Sequence, residues 1–408
     1  MSMPLLVGLL VACSAPAPSP VPAPAPVAAA PTAPPFQKCT VTDSTQLQAI
    51  ARIATVAESC AADPGPSPAE IQPFAHPLEH LPLSKLGANH RGRDAFFAVG
   101  EAQWVLGKFS YGPNDQDLKE EVVDIYLLRD CSGTWEQLGS ATTTREKQHP
   151  TVEGVEDSGG RVYFQLPSEK ELGVGRHRVR MVVRGDHSSA DQYIEVLPKG
   201  AAIFVTDMDG TLTERKETDT SVACDEESDF PAAWREQKNG NDQPNVHVGV
   251  ASAFQKLVSL GYRPLYLTAR PEWLVPHTRG FMAEANRRDG RGDLPQGIIH
   301  TTVTLVGAIN SAAVAFKKSE VQALVDKGFS VEWAFGNRPS DVETYTFFNV
   351  PFRYYYENPD IGRRNCSKVK DLPELADKST PQPGNWRIST YEDVVPLVTA
   401  RGGACSGT

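Results

Sequence analysis

The chain carries no clustered block of lysine and arginine. Its 408 residues hold 40 Lys and Arg against 50 Asp and Glu, a formal net charge of −10. A surface of that sign does not draw in nucleic acid or anionic lipid by bulk electrostatics. Arg287-Arg288 with Arg291, and Arg363-Arg364, read as solvated loop charges, and the tripeptide Arg291-Gly292-Asp293 as chance. Past the first dozen residues there is no run of about 18 apolar residues, so no later membrane-spanning helix is expected. Cysteine is sparse as well, seven in all. The spacing is wide and irregular, which argues against a zinc site assembled from close pairs. With Cys13 set aside, Cys39, Cys60, Cys131, Cys224, Cys366 and Cys405 form an even set, which suits up to three disulfides in an exported protein. The expected pairs are Cys39–Cys60, which bracket a helical stretch, and Cys366–Cys405, both in the tail.

What the chain does have begins at its first residues. An apolar run ending Leu10-Val11-Ala12-Cys13 resembles the lipobox of bacterial lipoprotein signal peptides, although no Lys or Arg precedes it. The resemblance implies lipidation of Cys13 and an exported protein anchored to the bacterial cell envelope, at the outer membrane or the periplasmic face. Ser14–Pro35 is almost wholly Ala, Pro, Ser and Val, with nine prolines in 22 residues. Such a tract cannot form a packed core and favours extended polyproline II, reaching roughly 70 Å at about 3.1 Å per residue.

The remaining residues, about 370, are enough for two domains. The expected organisation is a signal segment at 1–13, a Pro/Ala-rich linker at 14–35, a helical and irregular segment at 36–95, a β-sandwich at 96–198, an α/β domain at 199–365 and a tail at 366–408. In the third region Leu47, Ile50, Ala51, Ala54 and Ala57 recur at helical spacing after candidate caps Asp43 and Ser44. From 96 to 198 the signal becomes short strands broken by turn residues: Ala102–Phe109, Val122–Leu128, Thr134–Thr144, Arg161–Leu166, His177–Val183 and Gln192–Leu197. That pattern predicts a sandwich with a structural or docking role.

From Ala201 strands and helices alternate, which predicts a parallel sheet with helices on both faces. Val250, Ala253, Phe254, Leu257 and Val258 mark an amphipathic helix stopped by Gly261. Strands are expected at Pro264–Leu267, Ser330–Phe335 and Phe352–Tyr356. Helices are expected at Thr278–Arg287, at Glu320–Lys327 with Ser319 as N-cap, and near Val342–Phe348.

Chemistry-bearing residues fall where the strands end. The buried run Ile203–Thr206 leads into Asp207-Met208-Asp209-Gly210-Thr211. Residues two apart in extended backbone point the same way, so Asp207 and Asp209 can flank one reacting atom, and Gly210 permits a sharp turn. Thr268 follows the second strand, Asn337 and Asp341 follow a later one, and Lys317-Lys318 lie between. Nucleophile and acid, hydroxyl, ammonium, then metal-binding oxygens is the set that phosphoryl transfer requires, since that chemistry is mostly positioning and charge neutralisation.

The order resembles the four motifs of the haloacid dehalogenase (HAD) superfamily of phosphatases. Asp207-Met-Asp-Gly-Thr, Tyr266-Leu-Thr-Ala-Arg270, Thr278-Arg-Gly-Phe281, Leu294-Pro-Gln-Gly297, Phe316-Lys317 and Ala334-Phe-Gly-Asn-Arg-Pro-Ser-Asp341 look like the lipin/Ned1/Smp2 (LNS2) branch. That resemblance implies an α/β fold with a HAD-like Rossmannoid sheet, preceded by an all-β immunoglobulin-like sandwich. It implies Asp207 as nucleophile, Asp209 as acid and base, and Thr268 and Lys317 on the phosphoryl oxygens, with Lys318 the alternative lysine. Mg2+ would be held by Asp207, the Asp209 carbonyl, and Asn337 or Asp341. The implied reaction is Mg2+-dependent hydrolysis of phosphatidate to diacylglycerol through an aspartyl-phosphate. The alternatives are a non-catalytic phosphatidate- or phosphoinositide-binding module and a phosphatase of soluble phosphomonoesters. The lipid-transfer branch of the family resembles lipin but has lost catalytic aspartates, whereas both Asp207 and Asp209 stand here.

Overall fold

The computed structural model describes residues 34–67, 69–213, 246–288, 293–305, 307–308, 310–357 and 368–405. Helix α1 (Ser44–Ala62) starts where Asp43 caps it, its carboxylate accepting from the N–H groups of Thr45 and Gln46 at 2.8 and 3.0 Å. Its buried face is Ile50, Ile53, Ala57 and Cys60, while Leu47 stays exposed. A short helix α2 (Pro77–Ser84) follows.

The β-rich half is built from β1 (Arg91–Gly92), β2 (Ala95–Ala98), β3 (Trp104–Lys108), β4 (Ser110–Tyr111), β5 (Gln116–Asp117), β6 (Val122–Leu128), β7 (Glu136–Thr142), β8 (Arg161–Gln165), β9 (Gly175–Val183) and β10 (Ser189–Leu197). Two sheets, ordered β1-β3-β8 and β2-β10-β9-β6-β7, enclose an apolar core that includes Phe97, Val105, Val123, Ile125, Val179 and Ile194. All the strand pairs in these two sheets are antiparallel except β2 with β10.

The second half centres on a six-stranded, all-parallel sheet in the order β13 (Ile298–Thr302), β12 (Arg263–Pro271), β11 (Ala202–Thr206), β14 (Ser330–Gly336), β15 (Phe352–Tyr356), β16 (Gly384–Ile388). Counted from its first strand, that is the doubly wound order 3-2-1-4-5-6, which reverses direction between β11 and β14. Helices α3 (Val250–Ser259), α4 (Val275–Arg288), α5 (Asn310–Asp326), α6 (Pro339–Phe347) and α7 (Val394–Arg401) accompany it. Val250, Ala253, Phe254, Leu257 and Val258 are all buried, and Gly261 takes φ +93° just past the end of α3, as the apolar spacing predicts.

Several expectations change. The helix expected at Glu320–Lys327 starts ten residues earlier, at Asn310, and Ser319 is interior to it, its hydroxyl donating to the Phe316 carbonyl at 2.8 Å. The alanine-rich start supplies helix propensity that a search for a polar cap passes over. The segment 366–408 is not a mere tail, because it contributes edge strand β16 and helix α7. Strand β13 falls between the helices expected at Thr278–Arg287 and Glu320–Lys327, where the sequence pattern predicts no strand.

The disulfides differ as well. Cys39 bonds Cys405 and Cys60 bonds Cys131, in place of the expected Cys39–Cys60 and Cys366–Cys405. Proximity in sequence misleads here because both chain ends return to one buried acid of the sheet. Glu332 accepts from the Cys39 N–H at 3.4 Å and from the Arg401 guanidinium at 3.1 Å. Cys13, Cys224 and Cys366 lie outside the described residues, as do most of the linker and residues 214–245. Among the described residues no helix is long and apolar enough to cross a membrane.

Candidate active site

Residue 207 is the first after β11, and its N–H still bonds the Phe335 carbonyl of β14 at 3.0 Å. The strand pairing therefore runs one residue into the loop and sets Asp207 at the switch point between β11 and β14. Gly210 then turns at φ +77°, its N–H donating to the Thr213 hydroxyl at 2.9 Å. The loop is fastened from two sides. His247 approaches the Gly210 carbonyl at 3.3 Å while stacking on Tyr356, and the Tyr391 hydroxyl donates to the Thr211 carbonyl at 2.9 Å.

Four of the expected residues meet there. Lys317 projects from α5, donating to Asp207 Oδ1 at 2.8 Å and to Asp341 Oδ1 at 2.6 Å. All three side chains are almost fully buried. Asp341 belongs to the first turn of α6, where its Oδ2 accepts from the N–H groups of Asn337 and Arg338 at 3.0 Å each. The close seat needs glycine at 336, because a Cβ there would lie 2.4 Å from the Asp341 Cβ. The Thr211 hydroxyl stands 3.0 Å from both Asp207 Oδ2 and Asn337 Oδ1. It has one proton for two acceptors, so those oxygens face a shared gap. Lys318 turns away to pair with Glu343.

Asp209 and Thr268 form a second cluster beside it. The Thr268 hydroxyl donates to Asp209 Oδ2 at 3.2 Å. The signal missed in the sequence is Arg270. Its Nε donates to the same oxygen at 2.9 Å and its Nη2 to Asp209 Oδ1, a two-pronged fork. Thr278, on α4, then accepts from Arg270 Nη1 at 3.2 Å. The spacing of Arg270 behind Thr268 on one strand was the available clue, since i and i+2 share a face.

The two clusters differ in charge. Asp209 and Arg270 cancel, whereas Asp207 and Asp341 share the single ammonium of Lys317, so one negative charge is left over in a buried place. Burial pushes the Asp207 carboxyl up to about 6 against the pull of Lys317, and the charges of Asp341 and Asp209 add to the rise. Burial opposes the Lys317 ammonium, yet its two carboxylate neighbours outweigh that and hold its pKa above the usual lysine value. Among the described residues no three or more His, Cys, Asp or Glu side chains group as a metal site. The oxygen set here is instead two carboxylates and the Asn337 carboxamide. Hard oxygen donors, few carboxylates and an unbalanced negative charge fit Mg2+, which keeps several of its waters.

The sandwich grips this half through buried ion pairs. Glu272, next after β12, accepts from Arg161 Nη2 at 2.7 Å and Arg91 Nη2 at 3.1 Å. Burial disfavours its charge, but those two arginines prevail and lower its pKa. Arg279 of α4 bonds the buried Asp94 at 2.6 Å, and Arg263 of β12 bonds Glu195 at 2.8 and 2.9 Å.

A six-stranded parallel sheet with acids after its first strand, preceded by a β-sandwich, is consistent with a HAD-like fold. Comparison with known families agrees. Residues 168–362 match the LNS2 (Lipin/Ned1/Smp2) family, and residues 88–196 match the PITM 1-3 beta-sandwich domain. The chain therefore carries an LNS2 domain and a PITM-type β-sandwich domain. It is similar to mouse membrane-associated phosphatidylinositol transfer protein 2, at 32% identity over 223 residues, 54% of this chain and 14% of that protein. The Drosophila melanogaster protein retinal degeneration B is 28% identical over 66% of this chain and 18% of its own length. Human membrane-associated phosphatidylinositol transfer protein 3 is 29% identical over 70% of this chain and 25% of its own length. The chain thus spans a quarter or less of these relatives.

Proposed function

We propose that this protein recognises the phosphate of a phospholipid monoester of the phosphatidate type, with Mg2+, at the Asp207–Lys317–Asp341 centre. The observation that carries this is the buried triad with one uncompensated negative charge at the switch point, where open α/β sheets hold their ligands. A divalent cation there reverses the local sign and favours an anion. Asp207, the Asp209 carbonyl, and Asn337 or Asp341 would hold Mg2+, which would supply charge neutralisation of the phosphate oxygens. Lys317 adds an ammonium donor, and Thr268 a hydroxyl. The lipid class is supported by the LNS2 and PITM matches and by relatives named for phosphatidylinositol transfer.

Hydrolysis is the second reading, favoured by one observation: Asp209 stands two residues beyond Asp207 with its carboxylate beside Thr268. In that reading Asp207 attacks phosphorus, and Asp209, protonated once Arg270 has released it, gives that proton to the leaving alkoxide and later takes one back from the attacking water. The fork from Arg270 now occupies both Asp209 oxygens, so turnover requires that fork to open, whereas recognition does not. We further propose export and anchoring through Cys13. The two disulfides support an oxidising compartment.

The test uses the full chain with detergent micelles of phosphatidate or phosphatidylcholine, with and without Mg2+, following binding and phosphate release together. Mg2+-dependent preference for phosphatidate is expected, and its loss in Lys317→Ala. If the wild type does not distinguish the two lipids, the recognition reading is wrong. Phosphate release that vanishes in both Asp207→Asn and Asp209→Asn establishes hydrolysis, and binding without release excludes it. Release from a water-soluble ester at the same rate as from phosphatidate points to a soluble substrate instead.

A further inference from the structure

Because all six strands of the sheet are parallel, every loop that follows a strand lies on one edge, together with Asp207, Thr268 and Asn337. Among the described residues from 199 onward, two large apolar side chains are exposed: Val248 at 41% and Leu305 at 62%. Both belong to that edge. Val248 follows His247, which fastens the Gly210 turn, and Leu305 lies between β13 and α5. Isolated surface leucines need no explanation, but two apolar tips on the one edge that holds the proposed phosphate-binding residues do.

Leu305 is held outward by a built loop. Its carbonyl accepts from the half-buried Trp273 indole N–H at 2.8 Å, and the Ala308 N–H donates to the Ala269 carbonyl at 3.0 Å. Gly307 takes φ +77°, where a Cβ would meet that carbonyl oxygen at 2.5 Å. The loop is therefore pinned to the strand end between Thr268 and Arg270. A tryptophan whose polar group is already bonded, beside a projecting leucine, suits a boundary between water and acyl chains.

We infer that this edge is a membrane-docking face: Leu305 and Val248 enter the surface of a phospholipid bilayer and bring the pocket onto a phosphomonoester headgroup. The inference rests on the phospholipid reading above. A bilayer is the occupant that offers an anion to the pocket and apolar depth to its two flanks at once. With a net charge of −10 the chain gains nothing from bulk attraction to anionic lipid, so what the bilayer adds beyond the headgroup contact is apolar insertion, which salt does not screen.

Two probes separate the inference from its premise. One is a short-chain phosphatidate kept below its micelle concentration, and the other is vesicles of phosphatidylcholine with a minority of phosphatidate, each with Mg2+. The wild-type chain is expected to bind both. Leu305→Ser/Val248→Ser should bind the short-chain lipid unchanged and lose about tenfold or more in vesicle affinity. Raising NaCl should weaken vesicle binding no more than it weakens short-chain binding. Equal vesicle affinity in the double variant, vesicle binding that falls more steeply with salt than short-chain binding, or short-chain binding by wild type without vesicle binding would each overturn the docking face. If the wild type binds neither probe, the phospholipid reading itself fails. If the double variant loses both, the tips belong to the pocket and not to a membrane face.

Discussion

At the scale of single residues, the site is governed by the mismatch between two buried acids and one ammonium. Asp207 ionises at about 6, above its ordinary value, because burial outweighs Lys317. A carboxyl raised in the folded state stabilises the fold while protonated and gives that stability up as pH rises through its folded pKa. Asp207→Asn removes the titration, so it should raise stability at about pH 7.5 in metal-free buffer by roughly 1–3 kcal/mol, a gain that fades by about pH 4. Thermal melts across that range check this, and an equal gain at both ends contradicts it. Another residue group invites a different reading. Ser188 Oγ is 2.8 Å from His90 Nε2 and also bonds Asp186, a serine–histidine–acid contact. However, His90 Nδ1 accepts from the Ser110 N–H, so Nε2 carries the proton and donates. Burial also drives this imidazole down to about 4, and the pair is a neutral structural bond.

At the scale of elements, what was legible in the sequence is what local pattern controls. The apolar run of β11, the turn at Gly210, the α3 stripe and the Asp43 cap all follow from spacing and turn chemistry within a few residues. The edge strands β13 and β16 were not legible. The burial of β16 is only partial, and its place is set by pairing with β15, a contact made 32 residues away. The start of α5 was missed because alanines carry no boundary signal, and with it the fact that Lys317 sits mid-helix. The fork on Asp209 needed the strand twist and the seat of α4 to be known. Glycine 336 shows how closely elements meet. Gly336→Ala puts a methyl group against Asp341 and should push α6 from the end of β14. We expect a cost of about 1–3 kcal/mol and weaker Mg2+-dependent lipid binding, measured by denaturant melts and micelle titration. An unchanged Mg2+ response would show that the seat of Asp341 is not needed.

At the scale of the whole molecule, buried ion pairs and two disulfides tie the sandwich, the sheet and both ends of the described chain into one body. Cys39–Cys405 closes a loop across 366 positions, and Cys60–Cys131 joins α1 to the sandwich. Cross-links over long loops restrict the unfolded chain most, so reduction should lower stability by about 2–5 kcal/mol. Melts with and without a reductant test this, with Cys39→Ser and Cys60→Ser assigning the share of each bridge. No shift on reduction would mean that the bridges contribute little. Neither pairing could be read from spacing, because each depends on which surfaces the completed sheet brings together.

The hydroxyl of Tyr391 on the Thr211 carbonyl gives this architecture an order in time. The loop that carries Asp207 and Asp209 is fastened by a residue 180 positions further along the chain than Thr211, with β16 just before that residue and Cys405 after it. A nascent chain thus carries both aspartates long before it can hold them in register, and the loop is fastened only once Tyr391 has emerged and folded back.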